Sequence, residues 1–261
     1  MRTTRTTRQG ESLTVRTAVY LTVAFLAAGA LGALQPATGI PTEVVQLTQF
    51  GPALAVAVTA LLWPAGTRAL VRGPRSRTRL TSAWPLLAAP FLIILLSAGP
   101  YALLTGAPHA RDPRTLHHSF LLIAVAQLVG ACGEEIGWRC CLQPLLRTRF
   151  GVLTASSAVG AVWGLWHVQV LAEAPAYAAG FLLATISMSI VLGLALETTG
   201  GMARLLLAGG FHALVNLGML LFMDEETGRT GPMVLFGAAS ALVAGAWVWG
   251  RGTPAIPAAV E

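Results

Sequence analysis

Apolar stretches of membrane-spanning length recur along this chain, and they leave little room for any architecture but a bundle of helices in a bilayer. A helix that crosses the hydrocarbon core needs about 20 predominantly apolar residues. Eight stretches approach that length, at roughly 17–35, 50–66, 84–106, 118–139, 154–172, 177–196, 203–222 and 231–250. The longest loops between them, 36–49, 67–83 and 107–117, are too short to fold alone. Composition agrees, because only 11% of residues are charged and 55% are hydrophobic, where soluble domains carry about 25% charged residues. The expected fold is all-α, a polytopic membrane protein of about eight transmembrane helices. Its single transmembrane domain covers 17–250, between an arginine-rich tail at 1–16 and a short tail at 251–261.

The basic balance serves topology better than nucleic acid. The net charge of +6 comes from 17 arginines and no lysine, a bias that suggests a high-GC bacterial source and hence a bacterial plasma membrane. Arg2, Arg5, Arg8, Arg16, Arg68, Arg72, Arg75, Arg77, Arg79, Arg147, Arg149, Arg204 and Arg251 fall on one side of the predicted spans. Only Arg111, Arg114 and Arg229 fall on the other, with Glu43, Asp112, Glu173, Asp224, Glu225 and Glu226. Cytoplasmic loops hold the excess of positive charge. Both termini are therefore expected in the cytoplasm, and the acidic pair Glu134-Glu135 near the cytoplasmic end of the fourth span. The arginines before the first span resemble the charged region of a signal peptide, but with seven spans following, an uncleaved first helix is the simpler reading. Cys132, Cys140 and Cys141 form no C-x-x-C pattern and read as small helix residues.

Few strongly polar side chains remain at depth: Glu134, Glu135 and Arg139 in the fourth span, His167 and Gln169 in the fifth, His212 and Asn216 in the seventh. Intramembrane charge is costly and faces a protein interior or a cavity, where it finds partners. Glu135 and Arg139 stand at i and i+4, within ion-pair reach, whereas Glu134 is rotated about 100° away and left free for chemistry. His212 and Asn216 share a face by the same spacing, and Trp163 can cover the ring of His167. Gln169 reads as packing or as the outer boundary, His109, His117 and His118 as wetted interfacial residues, and Glu197 as a solvated helix-end charge.

Two chemistries fit the deep set. A carboxylate and an imidazole can hold and deprotonate water while a second imidazole and an amide bind the oxyanion formed at a peptide carbonyl. Alternatively Glu134, His167 and His212 could hold a catalytic zinc with water in its fourth position. Each histidine can also serve as ordinary packing between helices, which would leave a non-catalytic scaffold. A proton-coupled transporter would use similar residues as a relay, but the charged segment has no repeat in a matching half.

Three patterns stand in order: Glu134-Glu135-Ile136-Gly137-Trp138-Arg139, Trp163-Gly164-Leu165-Trp166-His167 and His212-Ala213-Leu214-Val215-Asn216. They resemble the CPBP family of intramembrane peptidases, the CAAX proteases and bacteriocin-processing enzymes, with motifs E-E-x-x-x-R, F-x-x-x-H and H-x-x-x-N. The resemblance covers roughly 117–222, and Trp163 replaces the usual Phe as a conservative aromatic exchange. It implies an intramembrane endopeptidase with a conical cavity opening toward the cytosol and the bilayer. In that reading Glu134 is the general base working with His167, His212 and Asn216 bind the oxyanion, and Arg139 with Glu135 is the supporting ion pair. No cofactor is expected, zinc being the alternative. The partners are the bilayer and a peptide or membrane-protein substrate cut near the cytoplasmic face. A bacteriocin leader or a membrane-protein fragment suits a bacterial source at least as well as a prenylated protein. A helix starting at Gly151 would bury His167 too deep to meet Glu134, so 141–153 is expected to form an interfacial segment, with the fifth span entering near Ser156.

Overall fold

A computed structural model describes residues 3–74, 83–106, 110–223 and 229–251, with side chains from residue 13 onward. Arg2, Arg75, Arg77, Arg79, His109, Asp224, Glu225, Glu226 and the tail from 252 lie outside the described residues, as do the side chains of Arg5 and Arg8. Ten α-helices follow in order: α1 Thr3–Thr38, α2 Gly51–Leu62, α3 Pro64–Arg72, α4 Trp84–Thr105, α5 Phe120–Gly137, α6 Gln143–Arg147, α7 Val152–Trp166, α8 Pro175–Ala195, α9 Gly201–Phe222 and α10 Thr230–Gly250. No strand occurs among the described residues.

Six of these segments are long and apolar enough to cross a membrane: Leu13–Thr38, Trp84–Thr105, Phe120–Arg147, Pro175–Ala195, Gly201–Phe222 and Thr230–Gly250. The shorter apolar helices Leu47–Leu62 and Val152–Trp166 occupy the other two predicted spans. Leu61, Leu103 and Trp249 are 82%, 87% and 88% exposed. Outward apolar faces of that kind suit hydrocarbon and not water. This is a multi-pass membrane protein.

Helix α8 packs between α7 and α10, α4 bridges α9 and α10, and α5 lies against α9 and α2, with α1 covering α2. Glycines set the closest approaches. A Cβ on Gly160 would stand 2.5 Å from the Ile186 Cα and 2.8 Å from the Thr185 carbonyl, so α7 and α8 touch backbone to backbone. Small residues at membrane helix interfaces permit this approach, and van der Waals contact then holds the helices together.

The helices sort the charges into two ends. At the end holding the N-terminal half of α1, Arg147 and Arg251 both meet Glu197, and Arg16 lies over the Trp63 ring. At the opposite end Glu43 pairs with His118 at 3.2 Å, and Arg229 lies over the Tyr101 ring. Glu197 is thus an ion-pair hub rather than a merely solvated charge.

The fourth predicted span is longer than its apolar run suggested. Past Gly137 the chain makes a π-helical turn, Trp138–Leu142, and continues through α6 to Arg147. The wide turn precedes Pro144, which cannot donate to the helical ladder. The expected interfacial segment at 141–153 is therefore replaced by buried helix as far as Leu145, and α7 starts at Val152 rather than near Ser156. Glu134 is 14 residues from Phe120 and 13 from Arg147, about 20 Å from either end of the segment. It sits at mid-depth, not near one end. His167 is 15 residues beyond Val152, about 22 Å along α7, so the two levels meet after all.

Candidate active site

Glu134 is 1% exposed, and three side chains donate to its carboxylate. Trp163 Nε1 lies 2.8 Å from Oε2, Trp138 Nε1 3.4 Å from the same oxygen, and Gln49 Nε2 3.3 Å from Oε1. A buried carboxyl group needs such donors to satisfy its oxygens. Gln49 comes from a short 3-10 turn, Leu47–Phe50, between α1 and α2. It reaches the helix because Gly130 has no side chain: a Cβ there would collide with the Gln49 amide, and one on Gly133 would stand 2.8 Å from the Phe50 ring.

Glu135 faces away and does different work. Its Oε2 is 3.1 Å from Arg139 Nε and its Oε1 is 3.0 Å from His212 Nδ1, all three side chains being buried. The i, i+4 pair read from the sequence is present, with an added histidine. Arg139 Nη1 donates to Ser189 Oγ at 3.0 Å, Ser189 donates to the Ser156 carbonyl at 2.6 Å, and the guanidinium carbon lies 5.2 Å from the centre of the Trp163 ring. One buried cation thus ties α5, α7 and α8 together.

His167 is not inside a helix. α7 ends at Trp166, and His167 caps it with φ −78 and ψ 66 before a 3-10 turn, Val168–Ala172. Its Nδ1 is 2.9 Å from the Trp163 carbonyl. A carbonyl only accepts, so Nδ1 carries the proton and Nε2 is left as the free nitrogen. Trp166 and Phe181 meet the ring edge-on, each with centroids 5.0 Å away. His212 is oriented in the same manner, with Nδ1 on Glu135 and Trp163 edge-on at 5.0 Å. Asn216 Nδ2 donates to Gln127 Oε1 at 3.0 Å.

Glu134, His167, His212, Asn216 and Gln169 all line one cavity of about 850 Å³. His117 and His118 lie outside it, as do the three cysteines, all of which are free. Sequence reasoning missed Gln49, Gln127 and Ser189. Gln127 had a signal, being a polar residue seven before Glu134 and so on the same helical face. Gln49 had none, since it arrives from a loop 85 positions away. Trp163 was underrated, because its indole N–H is a donor that phenylalanine lacks.

The family model of type II CAAX prenyl endopeptidases, Rce1-like, matches residues 116–218, the stretch that carries all three motifs. This segment is similar to the Rce1-like family. A lysostaphin resistance protein A of Staphylococcus epidermidis is 28% identical over 160 residues, 60% of this chain and 41% of that protein. The Staphylococcus aureus protein of that name is 24% identical over 213 residues, 80% of this chain and 50% of its own. A CAAX prenyl protease 2 of Methanococcus maripaludis is 28% identical over 137 residues, 48% and 49% of the two chains. The chain thus spans half or less of the length of these relatives.

A zinc ion would need Glu134, His167 and His212 as its ligands. Each histidine turns its Nε2 into the cavity while Nδ1 meets an acceptor, as in many metal ligands. Yet among the described residues no three His, Cys, Asp or Glu side chains come close enough together to hold a metal ion. The Glu134 oxygens already accept three protein donors. The set as arranged does not fit zinc.

The cavity has a direction. Its walls run from Glu134 and His212 at mid-helix to Thr42, Glu43 and Glu173 at the rim, at the end opposite the arginine-rich one. The expectations of a cytoplasmic arginine-rich end and of a cavity opening to the cytosol therefore cannot both hold.

Proposed function

We propose that this protein is an intramembrane endopeptidase that hydrolyses a peptide bond with water activated by Glu134 and His167. The observation that carries the reading is the placement of Glu134, His167, His212 and Asn216 around one cavity, each oriented by a named partner. Water between Glu134 and the free Nε2 of His167 gives up a proton as its oxygen adds to the peptide carbonyl. The carbonyl oxygen becomes an oxyanion, stabilised by the Asn216 amide and by His212 protonated at Nε2. The intermediate collapses by breaking the C–N bond, and the proton taken from water passes to the departing amine. Glu135 and Arg139 keep His212 in register throughout.

The chain crosses the membrane about eight times in this reading. Helices Leu47–Leu62 and Val152–Trp166 make short passes, and both termini are cytoplasmic, as the arginines at one end favour.

Glu134→Gln and His167→Ala are each expected to abolish cleavage while leaving the protein abundant in the membrane. Comparative membrane proteomics of cells carrying the wild type or Glu134→Gln should reveal one precursor uncut only in the variant. Activity should survive 1,10-phenanthroline, and its loss on chelation with recovery on zinc would overturn the water-only mechanism.

A further inference from the structure

The direction of the cavity decides which compartment supplies the substrate. No wall residue approaches the arginine-rich end: Met188 is seven residues short of Ala195 on α8, Trp163 is 11 beyond Val152 on α7, and His212 is 11 beyond Gly201 on α9. At least about 10 Å of packed helix therefore closes the site from that end. Among the residues whose side chains are described, that closed end holds Arg16, Arg68, Arg72, Arg147, Arg149, Arg204 and Arg251 against Glu197, and the start of α1 adds Arg5 and Arg8 against Glu11. The open end holds Arg111, Arg114 and Arg229 with Glu43, Asp112 and Glu173. Positive charge of short loops is retained in the cytoplasm.

We infer that the catalytic cavity opens to the extracytoplasmic side, and that its substrate is an unfolded terminal or juxtamembrane segment presented from that side. The substrate half of this inference rests on the peptidase reading; the sidedness does not. Depth sets the form of the segment. Glu134 lies about 21 Å from Phe120 along α5, and an extended chain advances about 3.3–3.6 Å per residue, so about six residues must enter before a bond reaches the carboxylate. A cavity of about 850 Å³ admits a strand of that length and excludes a folded domain. The 3-10 turn Val168–Ala172 contributes Val168, Gln169 and Val170 to the wall, so the same passage is lined by non-helical backbone.

Two single substitutions decide the sidedness without any assay of activity. Glu173→Cys places a thiol at the rim and Arg149→Cys places one at the closed end, both positions being exposed. The parent chain, whose own cysteines are buried or half-buried, is the blank. In intact cells a membrane-impermeant maleimide-polyethylene glycol should shift Glu173→Cys at once, and Arg149→Cys only after permeabilisation. The reverse order, or equal labelling of both from outside, overturns the inference. The substrate half is tested with a single-span reporter bearing a flexible 12-residue tail on either side of the membrane, expressed with the wild type or with Glu134→Gln. Only the outer tail should be cut, only by the wild type, and shortening it below about six residues should protect it. Cutting of the inner tail overturns the proposal. If labelling follows expectation and neither tail is cut, the sidedness stands while the peptidase reading and the substrate class fall together.

Discussion

Replacing Trp163 by phenylalanine restores the residue usual in the family motif and removes one N–H from the Glu134 carboxylate. The 2.8 Å bond is the shortest of the three that the carboxylate accepts. A hydrogen bond to a charged group contributes about 1.5–3 kcal/mol, and each 1.4 kcal/mol in the barrier is about tenfold in rate. Part of that bond holds the ground state as well as the transition state and so does not appear in the rate. The remainder comes from orientation, because the freed carboxylate rotates away from the water it should hold. A fall in kcat of roughly tenfold is expected, with KM changed less than twofold since Trp163 binds the base and not the peptide. Trp166→Phe supplies the comparison: it makes the same truncation at another buried indole, whose Nε1 reaches only the Ala24 carbonyl at 3.5 Å. Both variants lose some packing, less than the about 3–5 kcal/mol of a Trp→Ala change. Steady-state cleavage of a reporter peptide in proteoliposomes, with melting temperatures taken alongside, separates the effects. Equal kcat for the two variants, or a change in KM alone for Trp163→Phe, would refute the role given to the indole.

Glu135→Gln leaves Arg139 buried without its anion. Breaking a buried pair from one side costs about 3–5 kcal/mol, so a lowered melting temperature in detergent should accompany the loss of activity. Ser189→Ala removes one donor–acceptor link to Arg139 and should cost about 1–3 kcal/mol by the same measurement. Gly160→Ala drives a methyl into the α8 backbone and should reduce folded yield through overpacking of about 1–3 kcal/mol, whereas Gly151→Ala, with nothing within 4 Å, should not.

The parts of the site that follow helical spacing were legible in the sequence, and the parts that depend on chain reversals were not. Glu135 with Arg139 follows from i, i+4 geometry alone, and the observed 3.1 Å contact agrees. The separation of Glu134 from that pair follows from the same rotation. The depth of Glu134 did not follow, because the apolar run was taken to end the helix at Arg139. The chain instead crosses the π-helical turn and buries Cys140, Cys141 and Leu142 beyond it. His167 shows the opposite failure. Nothing local stops a helix at Trp166, since neither glycine nor proline follows, and at the break His167 packs edge-on against Phe181 of α8. Gln49 depends on a glycine face of α5 meeting a distant turn, a coincidence that no periodicity records.

The early end of α7 has a physical consequence for supply. Fifteen residues of helix cover only about 22 Å, less than the about 30 Å of a hydrocarbon core. The backbone after Trp166 must find its hydrogen bonds in protein or in water, because lipid offers none. Hydrolysis also consumes one water per bond cut, which lipid cannot deliver. One break in one helix answers both needs. In the proposed reading, water enters from the open end where the regular structure stops, so the compartment that presents the peptide also feeds the reaction and receives its hydrophilic products.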